Sequence, residues 1–466
     1  MSSASPSAGR LASVFVPRKR RGAELFLLFI ALVVGVGAYA LVGLGTEQKV
    51  PADIVEYGGG LVGLAVVCHV VVRLRAPYAD PVILPAVVAL NGLGLAMIHR
   101  IDVARVAADR TAQTYATQQL LWTGLSVVCF VATLLVIRDH RRLQAFTYTS
   151  GFAGIVLLLL PLIPGLGVNI NGARIWIRLV GFSFQPGEIA KICLAVFFAG
   201  YLVVKREALA LAGRRFLGVD LPRGRDLGPI LAMWIISLGV LVFQRDLGSS
   251  LLFFGLFVVL LYVATERPSW LFVGVLLFTG GAYAGYLAFS HVQTRVAGWL
   301  HPFSNPDDYY QIIQGQYGLA WGGILGRGLG GGSPQLTPYA WSDFIGTSLG
   351  EELGLTGLMA IIVVYGLIVE RGLRTALVCR DPFGKLLSVG LSVAMALQVF
   401  VVVGGVTKLI PLTGLTTPFL SYGGSSLIAN WIIAALILRI SHQARRPVPD
   451  LHLPSADDET QVVKMR

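Results

Sequence analysis

The chain has 466 residues, of which 55% are hydrophobic and only 13% charged, and its formal net charge is +12. A soluble globular chain carries about 25% charged residues, so the composition excludes that class. Apolar runs of about 18 or more residues, each able to cross roughly 30 Å of hydrocarbon, recur along the sequence and define an all-α polytopic membrane protein.

Residues 1–23 are rich in Ser, Ala and Gly and end in the basic cluster Arg18-Lys19-Arg20-Arg21. They are expected to be a disordered cytoplasmic tail. The apolar run that follows is too long for a cleavable signal. Run lengths predict about twelve helices, near 24–44, 54–73, 81–98, 116–137, 146–164, 188–204, 227–243, 247–265, 269–290, 347–369, 386–404 and 421–440. Residues 24–74 form an N-terminal helix pair, 81–440 the transmembrane core, and 441–466 a polar cytoplasmic tail. The segments on the N-terminal side of the membrane hold more than twice as many Lys and Arg as those opposite. The positive-inside rule then places both termini in the cytoplasm, the inner membrane being the one crossed, and puts the long polar loop 291–346 outside. The same rule accounts for the positive charge, so no nucleic-acid partner is expected. The four cysteines show no metal spacing, and no disulfide is expected.

Four outer segments hold the chemistry. The first runs from Asn169 through Arg174, Trp176 and Arg178 to Gln185-Pro186-Gly187-Glu188, with Lys191 three residues further on. Glu188 and Lys191 share a helix face one turn into the bilayer. They are either an ion pair tying helices together or a polar floor under an anionic ligand. The second segment is Gln244-Arg245-Asp246, where the carboxylate stands at a helix start and is expected to cap it. The third is the loop 291–346. Its aromatic residues argue for order, and its glycine run from Gly326 to Gly332 reads as a tight-turning loop rather than a dinucleotide fingerprint, since no βαβ unit surrounds it. It ends in Ser342-Asp343-Phe344, and Asp343 is either a cap or a reactive acid. Glu351 and Glu352, one turn deeper, read as packing or hydrogen-bonding groups. The fourth runs from Gly405 through Lys408 and a Pro/Gly/Thr-rich stretch to Ser421-Tyr422-Gly423-Gly424-Ser425-Ser426. Irregular backbone at membrane depth must be buried or line a wet cavity. The Ser421–Ser426 stretch is either an anion nest or a site of close helix packing. Cations, one well-placed acid and irregular backbone on one face suit a lipid-linked diphosphate.

These segments resemble the SEDS family, the RodA/FtsW peptidoglycan polymerases. The matching stretches are Gly172-Ala-Arg-Ile-Trp, Phe184-Gln-Pro-Gly-Glu-Ile-Ala-Lys, Gln244-Arg-Asp-Leu-Gly-Ser-Ser, Tyr310-Gln-Ile-Ile-Gln, Ser342-Asp-Phe-Ile, Glu351-Glu-Leu-Gly-Leu-Thr-Gly, Asp381-Pro-Phe-Gly and Ser421-Tyr-Gly-Gly-Ser-Ser. They occur in family order from about residue 81 to 440. The resemblance implies a ten-helix core, with 24–74 as an extension, and a glycosyltransferase that polymerises lipid II into β-1,4 glycan for cell elongation or division. It implies that Asp343 is the essential acid and that Arg174, Glu188, Lys191 and Asp246 belong to the substrate cavity; the reading of the outer segments adds Trp176, Lys408, Ser421 and Ser425 to that cavity. It also implies a class B penicillin-binding protein as partner, contacting the exposed faces of helices 347–369 and 386–404. A divalent cation (Mg or Mn) could assist the leaving diphosphate, although the sequence shows no dedicated site. Trp341-Ser342 stands where the family usually has His-Thr, Gly187 where it has Ser, and Arg245 where it has Pro. Thr413 stands where division-type members often carry Lys, which favours the elongation type. The rival reading is a lipid II flippase, a transporter that would need the cavity and the cations but no single outer acid. A scaffold that only recruits a transpeptidase is a third.

Overall fold

The computed structural model describes residues 19–447 apart from 171, 180–181, 211–213, 217–218 and 222–223. The expected tails at 1–18 and 448–466 lie outside the described residues. The helices are α1 (Arg21–Glu47), α2 (Ile54–Arg75), α3 (Ile83–Ala108), α4 (Ala116–Val136), α5 (Arg142–Ala145), α6 (Thr147–Leu159), α7 (Pro186–Ala210), α8 (Gly224–Phe243), α9 (Leu247–Thr265), α10 (Ser269–Ala288), α11 (Ser290–Leu300), α12 (Tyr310–Gly322), α13 (Ile345–Val378), α14 (Pro382–Val406) and α15 (Gly424–Arg445). Ten of them are long and apolar enough to cross a membrane, and the shorter segments Thr147–Leu162 and Gly228–Phe243 bring the candidates to the expected twelve. α15 continues past residue 440, so helix replaces the first part of the expected C-terminal tail.

Burial sorts the helices into an inner and an outer set. α3, α7, α14 and α15 are mostly enclosed by protein, whereas α10 is almost wholly exposed along its apolar surface. An outward apolar face is what a lipid-facing helix requires. Small residues let the inner helices approach closely. Gly92 of α3 meets Gly35 of α1, where a Cβ on either glycine would stand about 3 Å from the other's Cα. The predicted helix 386–404 lies within α14 and is therefore largely interior. Among its large apolar residues only Phe400 is exposed, so the exposed face expected of this helix is narrow. Leu355, Met359, Val363 and Leu367 of α13 remain outward.

The outer segments are more structured than an all-helical reading allows. Three strands pair as an antiparallel sheet, β1 (Gly167–Ile170), β2 (Ala173–Leu179) and β3 (Phe182–Phe184). The sequence Ala-Arg-Ile-Trp-Ile-Arg alternates and is rich in β-branched and aromatic residues, which suits a strand. A second pair, β4 (Arg214–Phe216) and β5 (Val219–Leu221), lies between α7 and α8. The long loop is ordered by α11, α12 and two 3₁₀ turns at Pro302–Ser304 and Pro334–Leu336.

The glycine run does turn tightly: Gly326, Gly328 and Gly330 all have φ between 84° and 90°. It is stitched to a break inside α13, where Gly354 adopts φ 72° and ψ −176°. The break frees main-chain groups on both sides. The carbonyls of Glu351 and Glu352 accept the N–H groups of Arg327 and Gly328, at 3.1 and 2.9 Å. The N–H groups of Leu355 and Thr356 donate to the carbonyls of Gly323 and Ile324, at 2.9 and 3.1 Å. Side chains complete the join, as expected for Glu351 and Glu352. Glu352 pairs with Arg100 of α3 at 2.8 Å and accepts from the Gly330 N–H, while Glu351 accepts from the Ser333 N–H.

Candidate active site

Asp343 lies in the turn that leads into α13. The turn is closed by Ser342 N–H to the Tyr339 carbonyl at 2.9 Å and Ile345 N–H to the Ser342 carbonyl at 3.3 Å. Tyr339 takes φ 57° to make it. The two residues before the acid are tied to the fourth outer segment. Ser421 Oγ donates to the Ser342 carbonyl at 2.6 Å, and Tyr422 N–H donates to the Trp341 carbonyl at 2.8 Å. Trp341 is held in turn by Tyr115, stacked at 4.6 Å, and by the Arg105 guanidinium 4.4 Å from its ring centre.

Asp343 is not the helix cap. Phe344 holds the cap position, and no side chain caps α13. The carboxylate is only partly open to solvent. Burial pushes its pKa up to about 7, against the pull of its own N–H, of Arg295 and of the Phe344 N–H. An acid held near neutrality, in reach of both protonation states, is suited to proton transfer. Gly414 lies beside it, and a Cβ there would stand 4.0 Å from Asp343 Oδ2.

The structure brings Glu188, Lys191, Asp246 and Asp343 into one electrostatic cluster, and Arg295 is the link. Lys191 Nζ donates to Glu188 at 2.9 Å and to the Gln398 side-chain carbonyl at 2.7 Å, all three residues being buried. This is the helix-tying ion pair, and it reaches across from α7 to α14. Asp246 caps α9 by accepting the Ser249 N–H at 2.9 Å, as expected of its position. Burial raises its pKa, the Ser249 bonds and Arg295 oppose the rise, and Glu188 adds to it. Arg295 lies on α11, where Nη1 donates to the Leu412 carbonyl at 2.8 Å. Burial lowers its pKa while Asp246 and Asp343 hold it charged. Among the described residues it closes no ion pair with either acid, so it feels two carboxylates while keeping bonding capacity to spare.

The remaining predicted residues sit differently. Arg174 is exposed on β2, and the alternation of the strand puts half-buried Trp176 on the same face. Its N–H bonds the Gln244 carbonyl at 3.3 Å, which fixes the strand to the turn that carries Asp246. Lys408 takes φ 60°, and its carbonyl accepts from Trp299 Nε1 at 2.9 Å, so the backbone there anchors the long loop. Ser421 and Ser425 take the close-packing alternative in this structure. Both are buried, and their hydroxyls are engaged within the protein, Ser421 with the Ser342 carbonyl and the Thr417 N–H, Ser425 with the Gln185 N–H. Gly423 N–H turns to Gln119, so this stretch pins segments together instead of forming an open anion nest.

Sequence reasoning missed Arg295, Gln398 and the Trp341–Tyr115–Arg105 stack. Gln398 carried a signal, an amide inside an apolar run. Arg295 and Arg105 carried none, since both read as ordinary cations of outer segments.

Residues 81–446 match the family described as cell cycle protein, FtsW/RodA/SpoVE. The peptidoglycan glycosyltransferase RodA of Mycobacterium tuberculosis is 50% identical over 431 residues, covering 92% of each chain. The protein of the same name from Mycobacterium leprae is 48% identical over 450 residues, 96% of each. A probable peptidoglycan glycosyltransferase FtsW of Geobacter metallireducens is 33% identical over 78% of this chain and 94% of its own. Among solved structures, a chain of a peptidoglycan synthase complex described as coordinating polymerization and crosslinking superposes with TM-score 0.63 at 27% identity, over 79% of this chain and 99% of that one. The Thermus thermophilus rod shape determining protein RodA superposes with TM-score 0.53 at 26% identity, over 79% and 98%.

Proposed function

The chain belongs to the FtsW/RodA/SpoVE family and is a peptidoglycan glycosyltransferase, and we propose that Asp343 is its general base. The substrate is lipid II, a disaccharide linked through diphosphate to a polyprenyl lipid, and the site faces outward from the cytoplasmic membrane with both chain termini inside. Asp343 removes the proton from the 4-hydroxyl of the acceptor sugar as that oxygen attacks the anomeric carbon of the donor. The carbon–oxygen bond to the diphosphate breaks with inversion, giving the β-1,4 linkage, and the lipid diphosphate leaves. The observation that carries this reading is the carboxylate itself. It is held in a braced turn with its pKa raised to about 7, and it caps nothing. General-base catalysis of this kind typically contributes about 10²–10⁴-fold.

Arg295 is coupled electrostatically to both Asp343 and Asp246, and it serves to keep the base ionised and to meet the departing diphosphate. The buried Glu188–Lys191–Gln398 triad holds α7 against α14 beneath it. Arg174, exposed on β2, offers a second cation above. A divalent cation, Mg or Mn, would neutralise charge on the leaving diphosphate. Among the described residues no three His, Cys, Asp or Glu side chains gather, so Asp343 and Asp246 are the carboxylates nearest the chemistry that could contact it. A class B penicillin-binding protein would take up the nascent strand for crosslinking, seated on the outward face of α13.

The test is direct. Purified protein is supplied with labelled lipid II, with and without the transpeptidase, and glycan chains are resolved by length. Chains from the wild type and none from Asp343→Asn support the reading. Lipid II crossing a sealed vesicle membrane with no polymer formed would replace it with the transporter.

A further inference from the structure

At the opposite end of α13 from Asp343 a cavity of about 430 Å³ opens between three chain segments. The segments are the α4–α5 turn, the α13–α14 turn and the end of α15. A helix of this length puts the two sites about 50 Å apart along its axis, so the cavity lies on the other face of the membrane, cytoplasmic in the orientation given above. Its volume falls within the range of small-molecule sites, roughly 300–1,000 Å³.

The floor is built. His140 is buried, and its Nε2 bonds Asp381 at 2.9 Å. Asp381 also caps α14 through the Gly384 N–H at 2.8 Å, and Arg141 approaches its other oxygen at 3.8 Å. That carboxylate is therefore fully committed. Asp139 accepts the Arg141 N–H at 2.9 Å, and its Oδ1 stands 3.8 Å from His140 Nδ1, beyond hydrogen-bond reach. Neither acid neutralises the two remaining cations of the rim. Arg380 and Arg446 are exposed and have no carboxylate partner among the described residues. The wall carries two buried polar atoms without a hydrogen-bond partner, His140 Nδ1 and Gln443 Oε1. The positive-inside rule explains arginines at helix ends. It does not explain one imidazole nitrogen and one amide oxygen left without a hydrogen bond in the wall that those arginines surround, because such atoms are normally satisfied.

We propose that this cavity binds a phosphate-bearing anion, gripped by Arg380 and Arg446 over the His140–Asp381 floor. Guanidinium forks match phosphate oxygens. The anion's oxygens and hydroxyls supply the hydrogen-bond partners that His140 Nδ1 and Gln443 Oε1 lack. The shared chemistry has two sources, a free phosphate compound of the cytoplasm or the headgroup of an anionic lipid in the inner leaflet.

Two probes separate the sources. The full-length protein in phosphatidylcholine nanodiscs is titrated with inorganic pyrophosphate by calorimetry. In parallel, nanodiscs containing a minor fraction of phosphatidic acid are examined by native mass spectrometry for retained lipid. Wild type is compared with the Arg380→Gln, Arg446→Gln double variant and with Arg374→Gln, an exposed arginine near the same face that does not line the cavity. At least one probe is expected to bind wild type and Arg374→Gln alike, and the double variant to lose at least about tenfold, the loss of one or more charge-assisted hydrogen bonds. Pyrophosphate binding identifies the free compound, and retention of phosphatidic acid alone identifies the lipid. If the double variant fails to fold, Arg446→Gln at the end of the described chain carries the comparison. Neither probe binding, or a loss shared equally by Arg374→Gln, overturns the proposal.

Discussion

Replacing Asp343 by Asn separates a base from a structural acid by making two properties move in opposite directions. The pKa of Asp343 is raised from 3.8 to about 7, with burial as the main cause. A displacement of three units corresponds to about 4 kcal/mol at 1.36 kcal/mol per unit. Because the side chain is partly open to solvent, the working figure is on the order of 2 kcal/mol. The sign follows from linkage. A raised carboxylate pKa means that the folded state binds the proton more tightly than the unfolded one, so stability falls as pH rises from 3.8 towards 7 and then levels off. Asn does not titrate and escapes that loss. Asp343→Asn should therefore match wild type in stability near pH 4 and exceed it at pH 8, by thermal unfolding followed in detergent. Over the same range wild-type polymerisation of lipid II should rise through pH 7 to a plateau, and the variant should lose at least about 10²-fold at every pH. Asp343→Glu should keep part of the activity. Near wild-type polymerisation by the Asn variant would end the assignment, and Asp246 and Glu188 would be examined next. Unchanged stability at pH 8 would refute the claim that burial controls the acid.

Other perturbations probe the supports. Arg295 opposes the rise in the Asp343 pKa, so Arg295→Gln should move the inflection of the pH–rate profile upward, by up to about one unit; an unmoved inflection would break the link. Gly354→Ala should cost about 1–3 kcal/mol in strain alone, with a further penalty because its Cβ would overlap the Gly326 nitrogen; folded yield and melting temperature report it, and wild-type behaviour would contradict the break in α13. In a background without the native cysteines, Leu336→Cys should react with an impermeant thiol reagent applied outside and Asp139→Cys should not, and the reverse pattern would invert the topology. Co-purification with the transpeptidase should weaken when Met359 or Val363 becomes Glu, whereas unchanged recovery would move the partner off α13.

Much of this was legible before any coordinates. Run length and charge asymmetry specify the helices because a bilayer imposes one length and one polarity on every span. Asp246 was legible as a cap because its position relative to the apolar run determines its bond. Other features depend on pairings that leave no local mark. Ser421 and Ser425 have the residue types of an anion nest, yet their hydroxyls are engaged by Ser342, Thr417 and Gln185, which lie between four and 240 positions away. Trp341 looked like a departure from the family pattern, and only the stack with Tyr115 and Arg105 shows what a tryptophan does there. The sheet between residues 167 and 184 was hidden because strands of three to seven residues are short against the helical signal around them.

The break at Gly354 has a consequence for bilayer thickness. Residues 345–353 form a pedestal of about two and a half turns under Asp343, and its side bonds run to the 322–328 turn. The remainder of α13, from residue 355, is about 36 Å long, more than the roughly 30 Å of hydrocarbon it has to cross. A continuous rod would pass every change of tilt directly to the carboxylate at its tip. Here the rod is cut, and the 323–328 turn binds the main chain on both sides of the cut. The height of the acid is therefore set by the outer loop as well as by the span, and a change of tilt in the span has to strain those four bonds before it reaches the carboxylate.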